Sequence, residues 1–347
     1  MTTRRLASTF LIRIAIAGAV FCAAAPSADA QTSAGTQTIR VRADGLLEIA
    51  DAPANTVVRY TLDGSEPTRD SGVWLAPVAV PAGYTVKARA FTSDHAPAGA
   101  TVSWAPPASS AANTQGPRRP STLVEVTQGR DWRVYDWPKR HAAIVALMKE
   151  RQPEIVMLGD SIIHFWGGDP GGEGVVGRNT GPEVWNRAFA GRTVVNLGYG
   201  WDRTENVLWR LRHGEFEGVS PKVVVIMIGT NNVTLNTVEE ITAGVTAIVD
   251  EVHQRSKTSR ILLLGIFPRG AKPDANRATI DDINQRLAKL DGRDGAVTYL
   301  DIGPKFLEAD GSISKDVMYD FLHPSAKGYE IWVEAMKPTL TRLLSAR

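Results

Sequence analysis

Ile155-Val156-Met157-Leu158-Gly159-Asp160-Ser161-Ile162-Ile163-His164 decides how the rest of the sequence is read. Four apolar residues run straight into Gly-Asp-Ser, and a helix-compatible segment follows. That pattern reads as a buried parallel strand, a tight turn, and a helix that starts at Ser161. Open α/β sheets bind ligands at the carboxyl edge of their strands, and such a serine stands at that edge. A helix amino terminus also favours developing negative charge. An N-cap serine in a common turn accounts for the same residues without chemistry.

Around this stretch the pattern alternates. A helix is expected over Lys139–Glu150, where Ile144, Leu147 and Met148 recur at helical spacing. Strands are expected at Glu154–Leu158, Thr193–Leu197, Val223–Ile228, Ile261–Ile266 and Val297–Asp301. Helices Thr204–His213, Val238–Lys257, Asp274–Leu290 and Ser325–Leu344 separate or follow them. The clearest is Val238–Lys257, with Val238, Ile241, Val245, Ile248, Val249 and Val252 on one face. Apolar strands separated by helices predict a parallel sheet covered on both sides, a flavodoxin-like three-layer α/β/α domain.

The strand ends carry the informative residues: Ser161, then Asn196-Leu197-Gly198-Tyr199-Gly200-Trp201-Asp202, then Gly229-Thr230-Asn231-Asn232. Asp320-Phe321-Leu322-His323 stands before the last helix. In a doubly wound sheet these points lie along one edge. A hydroxyl nucleophile needs a base, the base an orienting acid, and the oxyanion donors. His323 is the natural base, since imidazole titrates near neutrality. Asp320, three residues earlier, can reach its Nδ1 and leave Nε2 for Ser161. Asp320 and His323 also suit the start of the terminal helix, with Pro324 in its first turn. Their company with Ser161 and Asn231 at strand ends favours chemistry. Asn231 is a neutral amide suited to an oxyanion, and equally to a turn. His95, His141, His164, His213 and His253 read as surface or packing residues. No cluster has metal-ligand spacing, so no metal is expected. No phosphate-binding glycine motif follows a strand, which disfavours nucleotide chemistry and leaves no cofactor to expect.

From about Ile155 to Leu344 the chain resembles the GDSL/SGNH hydrolase superfamily, and within it esterases like the catalytic subunits of intracellular platelet-activating-factor acetylhydrolase. Gly159-Asp160-Ser161, Val207-Leu208-Trp209-Arg210-Leu211, Pro221-Lys222 with Gly229-Thr230-Asn231-Asn232, Leu264 to Gly270, and Asp320 to His323 carry the likeness in order. The resemblance implies Ser161 as nucleophile, His323 as base and Asp320 as its partner. It implies an oxyanion hole built from the Ser161 amide, a second-block amide and the Asn231 side chain. Two departures stand out. The second-block position, usually glycine, is Trp201; its amide can still donate if the backbone adopts the needed angles, and its indole either walls the acyl pocket or packs away. Gly167–Gly181 is an extra glycine-rich segment, an active-site flap or a tolerated surface loop.

The amino-terminal third differs. Arg4, Arg5 and Arg13 precede an apolar run from Ile14 to Ala25, and Ala28-Asp29-Ala30 offers a small-x-small cleavage site, so residues 1–30 read as a signal peptide for periplasmic or secreted delivery. A retained anchor is the alternative, but the run is too short to span a membrane, and stable membrane insertion is not expected. Cys22 is the one cysteine and leaves with the signal, removing disulfide and thiol chemistry from the mature chain. Short alternating runs at Thr38–Arg42, Val57–Thr61, Tyr84–Ala90 and Thr101–Trp104, with turns between, predict a small antiparallel sandwich over 37–105. Tyr60 to Thr68 resembles the chitobiase/β-hexosaminidase carboxyl-terminal type module, which implies an accessory role on a glycan-active enzyme. Trp74, Tyr84 and Trp104 can stack on sugars, although a core role is expected for at least two. Residues 106–122 have linker composition, and a hydrolase domain is expected over 123–347. A net charge of +2, with 43% apolar and 22% charged residues, describes a folded protein and gives no case for nucleic acid. The reading is an exported serine esterase for short acyl, foremost acetyl, esters of small molecules or glycans. Its alternatives are a lipid or lysophospholipid esterase and a carbohydrate-binding protein on an esterase scaffold.

Overall fold

Runs of β-branched and leucine residues form the strands here, and turn residues end them. The computed structural model describes residues 37–43, 45–81, 83–105, 120–170 and 179–346. The expected signal peptide, residues 106–119 of the expected linker and residues 171–178 of the glycine-rich segment lie outside these described residues.

Six antiparallel strands come first: β1 (Thr38–Val41), β2 (Leu47–Ala50), β3 (Val57–Thr61), β4 (Gly72–Val73), β5 (Val86–Phe91) and β6 (Val102–Trp104). β1 pairs with β2, and the others form a sheet ordered β4-β3-β5-β6. Inward residues of both sheets, Leu47 and Ile49 with Val58, Tyr60, Val86 and Ala88, share one apolar core, as the sandwich expectation requires. Tyr84 is buried, and Trp74 and Trp104 pack on that core; the short β2 and β4 escaped the sequence pattern. Tyr84 does not begin a strand: β5 starts at Val86.

The second part contains α1 (Trp137–Arg151), β7 (Ile155–Gly159), α2 (Ser161–His164), α3 (Pro182–Ala188), β8 (Val194–Gly198), α4 (Thr204–Arg210), β9 (Val223–Met227), α5 (Val238–Arg255), β10 (Arg260–Leu264), α6 (Ala275–Leu287), β11 (Val297–Leu300) and α7 (Ala326–Ser345). The parallel sheet runs β8-β7-β9-β10-β11. Strand side chains alternate between two cores. Val156, Leu158, Val224, Ile226 and Leu263 face α1, α4, α5 and α6. Met157, Val223, Val225, Met227 and Leu264 face α2, α3 and α7. This is the expected three-layer arrangement. The chain leaves β7 for β8 on one side, then returns to β9 on the other, so the switch point lies between β7 and β9. Ser161 follows β7 and Asn231 follows β9, where such sheets open a crevice.

Two elements differ from expectation. α4 ends at Arg210, three residues early, and gives way to a wider turn over Leu211–Glu215 because Gly214 takes φ 109. α3, a seven-residue helix, was not expected. The join between the two parts is not loose where it is described: Thr122 is buried, accepting at its carbonyl from Thr204 Oγ1 (3.2 Å) and donating from Oγ1 to Glu240 O (2.7 Å). Val124 and Val126 pack on the sandwich core. Among the described residues no helix is long and apolar enough to cross a membrane.

Candidate active site

Ser161 opens α2 directly after β7. Asp160 caps this short helix, its Oδ1 accepting from Ile162 N at 3.0 Å, and both residues are buried. The close fit of β7 and β8 against the sheet and α2 fixes the glycines. A Cβ on Gly159 would lie 2.2 Å from Met227 O, and one on Gly198 would lie 2.2 Å from His164 N. Asn196, on β8, stitches the layers by donating from Nδ2 to Ile163 O and Gly167 O, each at 2.7 Å.

His323 Nε2 lies 2.9 Å from Ser161 Oγ, and His323 Nδ1 lies 2.7 Å from Asp320 Oδ2. A carboxylate only accepts, so the imidazole proton sits on Nδ1, and Nε2 accepts from the serine hydroxyl. Asp320 Oδ1 accepts from His323 N (2.7 Å) and Leu322 N (3.1 Å), closing a tight turn in which Phe321 takes φ 63. Burial alone raises the Asp320 carboxyl, but the hydrogen bonds from the His323 ring and backbone outweigh it and hold the group below its ordinary value. Gly270 N donates to Phe321 O at 2.9 Å, so the loop after β10 carries this turn. Phe165 and Tyr319 flank the imidazole, with ring centroids 5.1 and 6.0 Å away. The arrangement can move a proton from Ser161 to His323 while Asp320 holds the resulting imidazolium.

The second-block loop turns sharply. Trp201 adopts φ 64, the left-handed angle its position demands, at a cost of about 1 kcal/mol or more for a non-glycine residue. Its side chain is 47% exposed and therefore projects from the loop rather than packing away. Asn231 Nδ2 donates to Asp202 O at 2.9 Å, which joins the loop after β9 to the residue following Trp201 and uses one of the two amide protons. Thus Ser161, His323 and Asp320 form one hydrogen-bonded chain, and Asn231 and Trp201 form a second group at the neighbouring strand ends.

Beneath that loop lies a buried ionic network which the sequence did not announce. Arg210 Nε donates to Asp202 Oδ2 at 2.8 Å, and its NH1 donates to both oxygens of Glu215 at 2.9 and 2.7 Å; all three side chains are fully buried. Burial opposes ionisation of Glu215, but Arg210 dominates and holds it at about 2. Trp137 Nε1 also donates to Asp202 Oδ1 (2.8 Å), and Tyr199 OH donates to Glu215 (2.6 Å). Arg210 stood inside a motif, yet a polar residue at a helix end reads from sequence as a solvated one. His164, expected at the surface or in local packing, is buried and accepts from Gly200 N at 3.0 Å. Among the described residues, no group of three or more His, Cys, Asp or Glu side chains is placed to hold a metal ion.

Residues 157–331 match the model of the GDSL-like lipase/acylhydrolase family, and residues 47–102 match the one described as Fn3 associated. The platelet-activating factor acetylhydrolase IB subunit alpha1 of Homo sapiens is 37% identical over 232 residues, 67% of this chain and 92% of that protein. The alpha2 subunit of Rattus norvegicus is 33% identical over 234 residues, 67% of this chain and 94% of that protein. Among solved structures, an acetylxylan esterase from Geobacillus stearothermophilus aligns with TM-score 0.43 and 23% identity, over 56% of this chain and 95% of that one. The chain belongs to the GDSL-like lipase/acylhydrolase family and is an ester hydrolase.

Proposed function

We propose that the protein is an exported serine esterase that removes short acyl groups, acetyl foremost, and that glycans carry those groups. The observation that supports the chemistry is the unbroken relay from Asp320 through His323 to Ser161, at 2.7 and 2.9 Å. Ser161 Oγ attacks the ester carbonyl while His323 Nε2 takes its proton. The carbonyl oxygen becomes an oxyanion, received by backbone N–H groups of Ser161 and Trp201 and by Asn231 Nδ2. Collapse breaks the ester bond, and the alcohol leaves with the proton from His323. Water then attacks the acyl-enzyme with His323 again as base, the carboxylic acid departs, and Ser161 recovers its hydrogen.

The acetyl preference is supported by the relatives, which are named as acetylhydrolases. Export is supported by the charged, apolar and small-residue pattern of residues 1–30. The glycan assignment is supported by the resemblance of Tyr60–Thr68 to an accessory module of glycan-active enzymes, an argument by association. One observation favours a lipid ester instead. Trp201, Leu235 and Tyr319, one on each of the three loops that carry the oxyanion and base residues, are 47%, 54% and 39% exposed.

Hydrolysis of p-nitrophenyl acetate, butyrate and octanoate by the chain lacking residues 1–30, beside Ser161→Ala, decides among these. Acetate is expected to turn over fastest, and Ser161→Ala to lose roughly 10⁴-fold or more. A maximum at octanoate selects the lipid reading, and equal rates in the two proteins reject the serine esterase.

A further inference from the structure

The segment that follows Ser121–Leu123 runs between the sandwich and the hydrolase fold, and two adjacent residues face opposite ways. Thr127 serves the sandwich: its Oγ1 donates to Val73 O at 2.5 Å and its N–H donates to Tyr60 OH at 3.3 Å. The approach leaves no slack, since a Cβ on Gly72 would lie 2.6 Å from Thr127 O. Gln128 serves the second-block loop: its Nε2 lies 2.7 Å from Gly200 O, 3.0 Å from Asp202 Oδ1 and 3.1 Å from Tyr135 OH. Tyr135 OH also donates to Gly200 O, at 2.7 Å. Gln128 Oε1 accepts from Arg130 N (2.8 Å), so the side chain has one orientation, and Thr127, Gln128 and Tyr135 are all buried.

The carbonyl that Gln128 and Tyr135 hold belongs to the same planar peptide unit as the Trp201 N–H. In a trans peptide the two point in opposite directions. Fixing the Gly200 carbonyl therefore fixes the direction of the Trp201 N–H. That control matters more here than it would with glycine at 201, because the left-handed angle of Trp201 is intrinsically disfavoured and must be imposed by its surroundings. The space is fitted to the clamp: a Cβ on Gly200 would lie 2.9 Å from Asp131 Oδ2 and 3.1 Å from Tyr135 Cε1.

We infer that Gln128 is a positioning residue which, anchored to the β-sandwich through Thr127, aims the Trp201 amide into the oxyanion hole, so that the sandwich supports catalysis rather than merely accompanying it. This rests on the serine-esterase reading above. Gln128 touches neither substrate nor Ser161 in this role; it acts through the Gly200–Trp201 peptide.

The test uses the chain from residue 31 onward, with both parts present, and compares it with Gln128→Met, Tyr135→Phe and Thr127→Val on p-nitrophenyl acetate. Each variant is also titrated with phenylboronic acid, whose serine adduct is tetrahedral and places an oxygen where the oxyanion forms. Gln128→Met is expected to lower kcat about 10- to 100-fold with KM within about twofold, as loss of oxyanion alignment does. Its boronate affinity should fall by a similar factor. Tyr135→Phe and Thr127→Val should show the same pattern, several-fold in size. A lower kcat with unchanged boronate affinity signals only a smaller folded fraction and overturns the inference, as does a Gln128→Met kcat within twofold of the parent. Should Gln128→Met fail to fold, Thr127→Val decides alone: unchanged kcat and boronate affinity there overturn the link to the sandwich. A parent that neither turns over ester through Ser161 nor binds the boronate rejects the esterase reading itself, a distinct outcome.

Discussion

Replacing Arg210 by methionine should convert the most heavily paired buried cation of the hydrolase fold into a large, pH-dependent loss of stability. Arg210 is fully buried and donates to Asp202 at 2.8 Å and to Glu215 at 2.9 and 2.7 Å. It also reaches Gly159 O and Leu197 O, at 3.3 and 3.4 Å, and its guanidinium lies 3.8 Å from the Tyr199 ring centroid. Methionine fills much of the volume but leaves the buried Asp202 and Glu215 carboxyl groups without their cation. Removing one partner of a buried ion pair costs about 3–5 kcal/mol, out of a typical total of about 5–15. The pH dependence carries the sign. In the parent, Glu215 is held at about 2, below its unfolded value of 4.5, so its contribution is present above pH 4.5 and lost as pH falls towards 2. Burial already raises Asp202 in the parent; in the variant the cation is gone, and burial raises both acids above their unfolded values against the remaining donors Gln128, Trp137 and Tyr199. They fold protonated, at no charge cost near pH 4, and the variant loses stability as pH rises from there. The difference between parent and variant should therefore be smallest near pH 2, where Glu215 is protonated in both, and reach about 3–5 kcal/mol at pH 8. Urea unfolding at both pH values, with the slopes compared, measures it. A difference below about 1 kcal/mol at pH 8, or one that does not change with pH, refutes the claim that this network is ionised and essential.

Three further outcomes follow from the site. Asn231→Ala should lower kcat about 100-fold or more while leaving the melting temperature nearly unchanged, as loss of an oxyanion donor does; unchanged turnover removes Asn231 from the hole. Trp201→Gly relieves the left-handed backbone but removes a half-exposed indole, and if that indole limits the acyl pocket the variant should accept longer acyl chains; an identical chain-length profile against p-nitrophenyl esters denies it that role. Burial pushes the Asp160 carboxyl from 3.8 up to about 7, a gap worth about 4 kcal/mol. A raised acid is penalised as pH climbs between those values, so Asp160→Asn should gain on the parent from pH 4 to pH 7 and then level off, and a stability difference flat across that range contradicts the assignment.

The hydrolase fold was legible because each parallel strand is buried on both faces and must be apolar throughout, a local signal that survives without context. The candidate site was legible for a related reason: Ser161, Asn231 and His323 stand after strands or before the last helix, where topology alone brings them to one edge. What escaped was the non-local. Gln128 lies in a stretch with no periodicity, and its meaning comes from Gly200, seventy-two residues later. Arg210, Asp202 and Glu215 look in sequence like ordinary charged residues of an exposed helix end, and only packing shows them dry. That Trp201 must adopt particular backbone angles was foreseeable from the glycine usual at its position; that the angle is left-handed shows only in the structure. The short strands Leu47–Ala50 and Gly72–Val73 were missed because two to four residues give alternation too little length.

Rapid mixing with p-nitrophenyl acetate, followed by acid quench and peptide mass mapping, locates any covalent acetyl group. Acetyl is expected on the peptide holding Ser161 and nowhere else, appearing with the first burst of nitrophenol and absent from Ser161→Ala. Turnover that persists in Ser161→Ala, or acetyl found on another residue that accumulates at the same rate, contradicts an acyl-enzyme formed by the Asp320–His323–Ser161 relay.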